Sequence, residues 1–256
     1  MKTLAIIQAR ASSSRLPGKV LMETCGKSLL ELQVERVLRS QKIDKIILAT
    51  STNSDDDPIE DLCCKIGVEC YRGSLNNVLE RFYKAAEKYK PENVVRLTGD
   101  CPLSDPGLID QVISYYFDNE HIYTTNAIDS TFPDGLDIEI FTFESLYDAW
   151  QHARLPSELE HVTPYIRKQL VNLEDSIFRG QYDFSSLRWT VDEKEDFELV
   201  SHIFTELYPW KPEFTWLDVL ELVKRNSYLC EINTRFERNE GSKKSLLADL
   251  EFLNKD

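Results

Sequence analysis

The chain has 256 residues, of which 42% are hydrophobic, and a formal net charge of −14 at pH 7. This composition is typical of a globular protein, and its acidity disfavours a nucleic-acid-binding function. No apolar run approaches the roughly 20 residues that a membrane helix needs, so we expect no membrane partner. None of the six cysteines forms a C-x-x-C pair, which disfavours zinc. We expect a cytoplasmic protein with reduced thiols.

Short apolar runs alternate with helical patterns in the first part of the chain. Residues 4–7, 45–49 and 93–97 predict strands that are buried on both faces. Between them, apolar residues within 29–38 and 78–86 recur at helical spacing. The alternation predicts an α/β fold with a mostly parallel sheet and right-handed crossovers.

The pattern changes after about residue 125. A turn signal at Pro133-Asp134-Gly135 is followed by a predicted strand at 136–141. We predict helices over 143–152, 158–170, 193–207 and 216–225, a strand over 188–191, and a short amphipathic helix from 246. The predicted organisation is a main domain over residues 1–210, a small hairpin and helical insertion or dimerisation region at about 130–185, and a C-terminal helical extension over 211–256.

A basic loop follows the first predicted strand. Residues 8–19 read Gln-Ala-Arg-Ala-Ser-Ser-Ser-Arg-Leu-Pro-Gly-Lys, with three cations and no acid in a strongly acidic chain. Ligands of parallel α/β sheets bind beyond the carboxyl ends of the strands. Arg10, Arg15 and Lys19 could therefore hold a polyphosphate there, with serine hydroxyls as further donors. The alternative is a solvated surface loop.

A second polar segment, Thr98-Gly99-Asp100-Cys101-Pro102, follows the third predicted strand. Glycine lets another group approach the backbone closely. An aspartate at the end of a strand could hold Mg²⁺ through one or two carboxylate oxygens. The alternative for Asp100 is a turn or an N-cap before the next helix, a role that suits Asp105 better.

Further motifs follow in order along the chain: Gly73-Ser74-x-x-Asn77-Val78-Leu79-Glu80-Arg81, Asn126 with residues 132–139, residues 160–166, and residues 188–196. With the two segments above, they resemble the SpsF-type cytidylyltransferases of spore-coat polysaccharide biosynthesis. That family is similar to the CMP-KDO synthetases and the acylneuraminate cytidylyltransferases. The resemblance covers residues 4 to about 200. It implies the Rossmann-like nucleotidyltransferase fold that is shared with GT-A sugar transferases.

The resemblance also implies a reaction. CTP and a sugar would give a CMP-sugar and pyrophosphate, with Mg²⁺ as cofactor, in surface polysaccharide biosynthesis. Arg10, Arg15 and Lys19 would hold the triphosphate and the leaving pyrophosphate, and Asp100 and Asp192 would bind Mg²⁺. The alternative for Asp192 is an N-cap of the following helix. A nonulosonic or keto-sugar acid is the acceptor expected by family analogy, and relatives often dimerise, so we expect a homodimer.

The resemblance places other residues near the substrates. Those expected at the nucleotide are Gln8, Ala9, Ser14, Arg72, Ser74 and Thr98, and those expected at the acceptor are Asn126, Asp134, Glu139 and His161. A packed, hydrogen-bonded side chain is the alternative for His161, and an anchor of the hairpin is the alternative for Glu139. Thr98 stands where CMP-KDO synthetases carry glutamine, so the expectation that the enzyme uses CTP and not UTP rests on the family as a whole. Asn77 replaces an expected acid, and it could cap the next helix equally well.

Other functions stay open at this stage. The enzyme could use UTP or another triphosphate, or a non-sugar acceptor such as a phosphorylated small molecule. The chain could also be a catalytically silent nucleotide-binding or scaffold protein of a polysaccharide pathway. A glycosyltransferase of the same general fold would be expected to carry an Asp-x-Asp motif, where this chain has Gly99-Asp100-Cys101-Pro102.

Overall fold

The computed structural model describes residues 1–238 and 240–254. Its strands are β1 Thr3–Gln8, β2 Glu23–Thr24, β3 Lys27–Ser28, β4 Lys45–Ser51, β5 Glu69–Gly73, β6 Asn93–Thr98, β7 Tyr123–Thr125 and β8 Glu139–Thr142. Six of them form one sheet in the order β5-β4-β1-β6-β8-β7, and β2 pairs with β3 in a separate hairpin. The strands β5, β4, β1 and β6 are parallel, and β8 runs antiparallel to both of its neighbours. The predicted α/β fold with a mostly parallel sheet is confirmed.

Ten α-helices accompany these strands within the described part of the chain. They are α1 Leu29–Val37, α2 Asp57–Ile66, α3 Val78–Glu87, α4 Pro106–Asp118, α5 Phe143–His152, α6 Pro156–His161, α7 Pro164–Lys168, α8 Lys194–Leu207, α9 Trp216–Arg225 and α10 Glu240–Leu253. Two predicted caps are present: Asn77 accepts a hydrogen bond from Glu80 N at the start of α3, and Asp105 accepts one from Leu108 N at the start of α4. None of these helices combines the length and the apolar character that crossing a membrane requires.

The central strand β1 is buried on both faces, as its apolar run predicts. The residues from Leu4 to Ile7 are fully buried. One face of the sheet packs on a core that includes α1, α4, α8 and α9, and the other face packs on a core that includes α3 and α5. This burial leaves the carboxyl ends of β1 and β6, at Gln8 and Thr98, adjacent at one edge of the sheet.

Three predictions in the second half of the chain differ from the structure. Residues 188–191 form no strand. The backbone N–H groups of residues 189 and 190 bind Asp134 O, that of residue 191 binds Asp100 O, and the β-pairing is limited to one isolated bridge between Arg188 and Asp134. The helix predicted over 158–170 is two short helices. It breaks at Val162, whose φ is 69°, because Pro164 has no N–H to continue the helical ladder. The strand predicted from 136 begins only at Glu139.

The residues after 210 are attached to the main sheet by buried polar contacts. The Arg36 guanidinium, buried on α1, donates from Nη1 to Phe214 O at 3.0 Å and lies over the Phe214 ring. The C-terminal helix α10 packs on α6, where Asp249 accepts hydrogen bonds from the N–H and hydroxyl of Ser157 at 2.8 and 2.6 Å. Through α6, α10 reaches the edge of the sheet where β1 and β6 end.

Candidate active site

The loops that follow β1 and β6 touch each other. Gly99 N donates a hydrogen bond of 2.7 Å to Gln8 O. A Cβ at position 99 would lie 2.9 Å from both Gln8 O and Ala9 Cβ, so glycine is required for this approach. The contact brings the basic loop and the Gly-Asp segment into one site.

A buried aspartate holds the start of the basic loop. Asp56 accepts hydrogen bonds from Ala11 N at 2.7 Å and from Ser51 N at 3.1 Å. Burial opposes ionisation, but these N–H groups and the Ser51 hydroxyl outweigh it and lower the pKa of Asp56. Farther along the loop, Gly18 N donates a hydrogen bond of 2.8 Å to Ala11 O. These contacts within the chain define the shape of the loop.

Lys19 joins the two aspartates that the sequence suggests as metal ligands. Its Nζ donates to Asp100 Oδ2 at 3.0 Å and to Asp192 Oδ1 at 2.7 Å, with only 9% of the side chain exposed. Burial alone would raise the pKa of Asp100, but the Lys19 ammonium and the Thr98 hydroxyl lower it to about 2. The same carboxylates outweigh burial and raise the pKa of Lys19. Lys19 and Asp100 are therefore both charged at neutral pH.

Asp192 is positioned by its neighbours and does not cap the next helix. Asp196, fully buried in α8, accepts hydrogen bonds from the backbone N–H groups of Asp192 and Glu193, each at 2.9 Å. The Asp192 carboxylate instead pairs with Arg15 Nη2 at 2.8 Å and with Arg188 Nη2 at 3.2 Å. Asp192 thus lies with its carboxylate in the site.

Arg188 and Asp196 form the buried base of this arrangement. The Arg188 guanidinium donates to both carboxylate oxygens of Asp196, at 2.9 and 3.0 Å, and to Asp134 Oδ2 at 3.0 Å. The turn that carries Asp134 passes close to this segment: Gly135 has a φ of 104°, and a Cβ there would lie 2.4 Å from Thr190 N. The turn at 133–135 therefore depends on glycine.

Two cavities open at this edge of the sheet and share one wall. The first, of about 350 Å³, is bordered by the basic loop and the start of α3, and the second, of about 470 Å³, by the turn at 133–135, β8 and α7. Residues that line both cavities are Arg15, Arg96, Thr98, Asp100, His161 and Asp192. The aspartates held by Lys19 therefore lie between the two compartments.

The second cavity is lined by charged groups of both signs. Glu139 pairs with Arg96 and accepts hydrogen bonds from the Tyr123 and Thr163 hydroxyls, both at 2.6 Å. Burial raises the pKa of Asp137 to about 7, and the pairing with Arg238 only partly opposes this. The side chain of Arg167 makes no hydrogen bond or ion pair with another described residue, although its charge helps to lower the pKa of Glu139. Glu139 is thus both an anchor of β8 and part of the cavity wall.

His161 is a packed histidine at the wall of both cavities. It ends α6, and its Nε2 lies 2.9 Å from Ser245 Oγ of α10. Burial and the nearby Arg96 lower its pKa, so the ring is neutral at pH 7. The hydroxyl of Ser245 also donates to Glu160 at 2.6 Å. The C-terminal helix thereby contributes a side chain to the first cavity.

Most of the predicted site residues come together, and three lie elsewhere. Gln8, Ala9, Arg10, Ser14, Arg15, Lys19, Thr98 and Asp100 line the first cavity, and Asp134, Glu139 and His161 line the second. Arg72 instead binds Glu60, Asp57 and two backbone carbonyls. Ser74 accepts a hydrogen bond from Asn77 N, and the buried Asn126 binds the backbone at Leu136 and Ile138.

Several lining residues were missed by sequence reasoning. They are Arg81, Arg96, Asp137, Arg167 and Arg188, together with the supporting Asp56 and Asp196. Arg81, Asp137, Arg188 and Asp196 all stand within the motifs that carry the family resemblance, so their positions offered a signal. Arg96 lies inside an apolar strand, where a charge is itself unusual.

The donors at the shared wall fit a magnesium ion. Asp100 and Asp192 offer carboxylate oxygens, and no described group of three or more His, Cys, Asp or Glu could enclose a metal ion. Mg²⁺ is commonly held by one or two carboxylates, with phosphate and water oxygens completing its octahedron. The donor set therefore suits Mg²⁺ that arrives with a polyphosphate.

Comparison with known proteins places this site in a family. The sequence profile of a family described as cytidylyltransferase matches residues 4–238. The chain belongs to the cytidylyltransferase family. The sequence is 35% identical to the spore coat polysaccharide biosynthesis protein SpsF of Bacillus subtilis over 237 residues, which is 87% of this chain and 94% of that protein.

Two further relatives agree with this assignment. A cytidylyltransferase structure from Leptospira borgpetersenii superposes with a TM-score of 0.83 at 34% identity, covering 90% of this chain and 97% of that one. The 3-deoxy-manno-octulosonate cytidylyltransferase of Trichlorobacter lovleyi is 33% identical over 121 residues, 46% of each chain. The resemblance drawn from the motifs, and the nucleotidyltransferase fold it implied, are confirmed.

Proposed function

We propose that this enzyme transfers CMP from CTP to a hydroxyl group of a sugar acid, with Mg²⁺ as cofactor and pyrophosphate as the second product. The pathway would be surface polysaccharide biosynthesis, as the name of the Bacillus subtilis relative suggests. One observation carries the proposal: two cavities meet at a wall that holds Asp100 and Asp192. A reaction between a nucleotide and a second substrate needs that arrangement, with the reacting phosphorus at the junction.

The first cavity suits the nucleotide because the basic loop borders it. Arg10 makes no ion pair with another described residue and lines this cavity, so its guanidinium is available to phosphate oxygens. Arg15 and Lys19 would bind the triphosphate from the same loop, near the shared wall. Preorganised cations of this kind stabilise the charge that develops on a leaving pyrophosphate.

Asp100 and Asp192 would hold Mg²⁺ beside the phosphates. When bound, the ion would supply charge neutralisation at the α-phosphate and the leaving group. In the protein as described here, the Lys19 ammonium occupies the position between the two carboxylates. It would move toward the phosphates as the substrate complex forms.

The transfer itself is a substitution at phosphorus. The acceptor oxygen forms a bond to the α-phosphorus, the bond from that phosphorus to the β-phosphate bridging oxygen breaks, and pyrophosphate leaves with the electron pair. The proton of the acceptor hydroxyl passes to a carboxylate of the second cavity. Asp137 suits this role because a pKa of about 7 matches a general base at neutral pH.

The second cavity suits an acidic sugar. Arg167, whose side chain has no hydrogen-bond or ion-pair partner among the described residues, could pair with a substrate carboxylate. Carboxylates such as Asp134 and Asp137 could accept hydrogen bonds from sugar hydroxyls. The sequence likeness to a 3-deoxy-manno-octulosonate cytidylyltransferase supports an acceptor of this class.

The test is pyrophosphate release with Mg²⁺, using the four ribonucleoside triphosphates and a panel of sugar acids and sugar phosphates. We expect release that requires CTP and one acceptor and falls at least 100-fold in Asp100→Asn and Asp192→Asn. Asp118→Asn, at the exposed end of α4, is the matched control and should retain full activity. Release that is unaffected by either substitution would contradict the proposed site. Absence of CTP binding would contradict the proposal and favour a scaffold protein of the polysaccharide pathway instead.

We also propose that the enzyme is a homodimer. Four leucines of α10, Leu246, Leu247, Leu250 and Leu253, are each more than half exposed, and an apolar row of this kind supports a protein contact. The aromatic residues Tyr147, Trp150 and Tyr165 suit this role less, because Trp150 stacks on Tyr83 with ring centroids 4.2 Å apart. Light scattering of the wild-type protein and of Leu250→Glu tests the proposal. A wild-type monomer would contradict it.

A further inference from the structure

Arg81 is a buried cation that pairs with no carboxylate among the described residues. It lies in the first turn of α3 with only 2% of its surface exposed. Its Nη1 donates to Ser74 O at 2.5 Å, and its Nε has no hydrogen-bond partner among the described residues. Burial, and then repulsion by Arg10, lowers its pKa to about 10. Leaving such a group unsatisfied is costly, and a ligand would supply the missing acceptors.

The surroundings of Arg81 indicate which part of a nucleotide it would meet. Arg81 lines the first cavity and is absent from the wall that both cavities share. Its neighbours in that cavity include the apolar side chains of Ala9 and Val78, which are both 5% exposed. Apolar side chains suit the face of a flat ring better than a phosphate. The transferred phosphate belongs at the shared wall, which leaves this end of the cavity for the base.

We infer that Arg81 recognises the base by donating hydrogen bonds to O2 and N3 of cytosine. The inference rests on the proposed function and makes it more specific, because it explains why CTP is chosen over UTP. A guanidinium carries donors and no acceptor. Cytosine presents two adjacent acceptors at O2 and N3, whereas uracil carries a hydrogen at N3. With UTP, an N–H group of the Arg81 guanidinium would face the N3–H group of uracil, so one hydrogen bond would be lost.

The first test compares three nucleotides on the wild-type protein by isothermal titration calorimetry with Mg²⁺ present. They are CTP, UTP and 3-deaza-CTP, in which a C–H group replaces N3. We expect CTP to bind roughly tenfold or more tightly than either of the others, because each of the others loses one of the two hydrogen bonds that the guanidinium donates to the base. Equal affinity for CTP and 3-deaza-CTP would overturn the inference, and this outcome needs no variant that could misfold.

The second test uses Arg81→Met, with folding checked by circular dichroism. The preference for CTP over UTP should fall at least tenfold, mainly through weaker CTP binding. Lys84→Met removes one positive charge from the same helix outside the cavity, and it should leave the preference unchanged. An equal loss of CTP and UTP affinity in Arg81→Met would indicate a phosphate contact and overturn the inference.

The two proposals fail differently. If the wild-type protein binds none of the three nucleotides, the proposed function is wrong and the inference falls with it. If it binds CTP and UTP equally and releases pyrophosphate from both, the transferase function stands and the role of Arg81 is wrong.

Discussion

Replacement of Asp196 by alanine should destabilise the protein strongly, although Asp196 contacts no substrate in the proposed mechanism. The carboxylate is fully buried and accepts hydrogen bonds from Arg188, from the N–H groups of Asp192 and Glu193, and from Asn233 Nδ2 at 2.8 Å. These bonds outweigh the effect of burial and lower its pKa. The side chain therefore joins α8 to the segment that carries the candidate metal ligand.

The expected size follows from the groups left behind. Removing one partner of a buried ion pair costs about 3–5 kcal/mol. Arg188 would keep Asp134 at 3.0 Å and Asp192 at 3.2 Å, so the loss should lie near the lower end. A loss of about 3 kcal/mol corresponds to a fall in Tm of roughly 6–12 °C for a domain of this size.

Urea unfolding and calorimetry of Asp196→Ala measure this loss directly. Glu198→Ala, at an exposed position of the same helix, is the control and should change stability by less than about 0.5 kcal/mol. CTP affinity should also fall in Asp196→Ala, because Asp192 loses the carboxylate that fixes its backbone. A loss below about 1 kcal/mol would refute the structural role assigned to Asp196.

Three further predictions concern the site itself. Gly99→Ala places a Cβ 2.9 Å from Gln8 O, and this overpacking should lower the free energy of unfolding by about 1–3 kcal/mol, as measured by thermal unfolding. The affinity for CTP, measured by titration, should fall as well. In the wild type, the pKa of Asp100 at about 2 lies below its usual 3.8, so the stability this pairing contributes is lost as pH falls from about 4 to 2. Lys19→Met should remove that loss, because the pairing is absent, and reduce pyrophosphate release at least 100-fold. Because burial raises the pKa of Asp137 to about 7, the turnover rate should rise with pH through about 7, and Asp137→Asn should abolish that rise.

The parts of the fold that follow from local patterns were predictable from the sequence. Fully apolar runs such as Leu4–Ile7 are typical of strands that are buried on both faces of a parallel sheet covered by helices, and Leu4–Ile7 is such a strand. The caps at Asn77 and Asp105 follow from side chains that satisfy the first N–H groups of a helix. In contrast, residues 188–191 have the composition of a strand, and distant carbonyls take up their N–H groups.

The direction of a charged side chain was harder to predict than its position. Arg72 directly precedes the sequence motif that contains Arg81, and the resemblance assigned a nucleotide contact only to Arg72. The acids Asp57 and Glu60, on the neighbouring α2, pair with Arg72 and turn it out of the cavity. No such acid pairs with Arg81 in the described structure, so it faces the cavity. Pairing between elements that are distant in sequence decides which arginine is available, and a single motif does not contain that information.

The acidic composition and the basic loop are reconciled by pairing within the site. Lys19 is held by Asp100 and Asp192, and Arg15 by Asp192. A triphosphate would compete with these carboxylates for the cations, and a divalent cation would compete with the lysine for the carboxylates. Each ligand therefore releases a protein group that the other needs. Because such coupling is reciprocal, we expect CTP to bind more tightly with Mg²⁺ present, and Mg²⁺ to bind weakly without a nucleotide. Equal CTP affinity with Mg²⁺ and with a chelator would contradict this account of the paired charges.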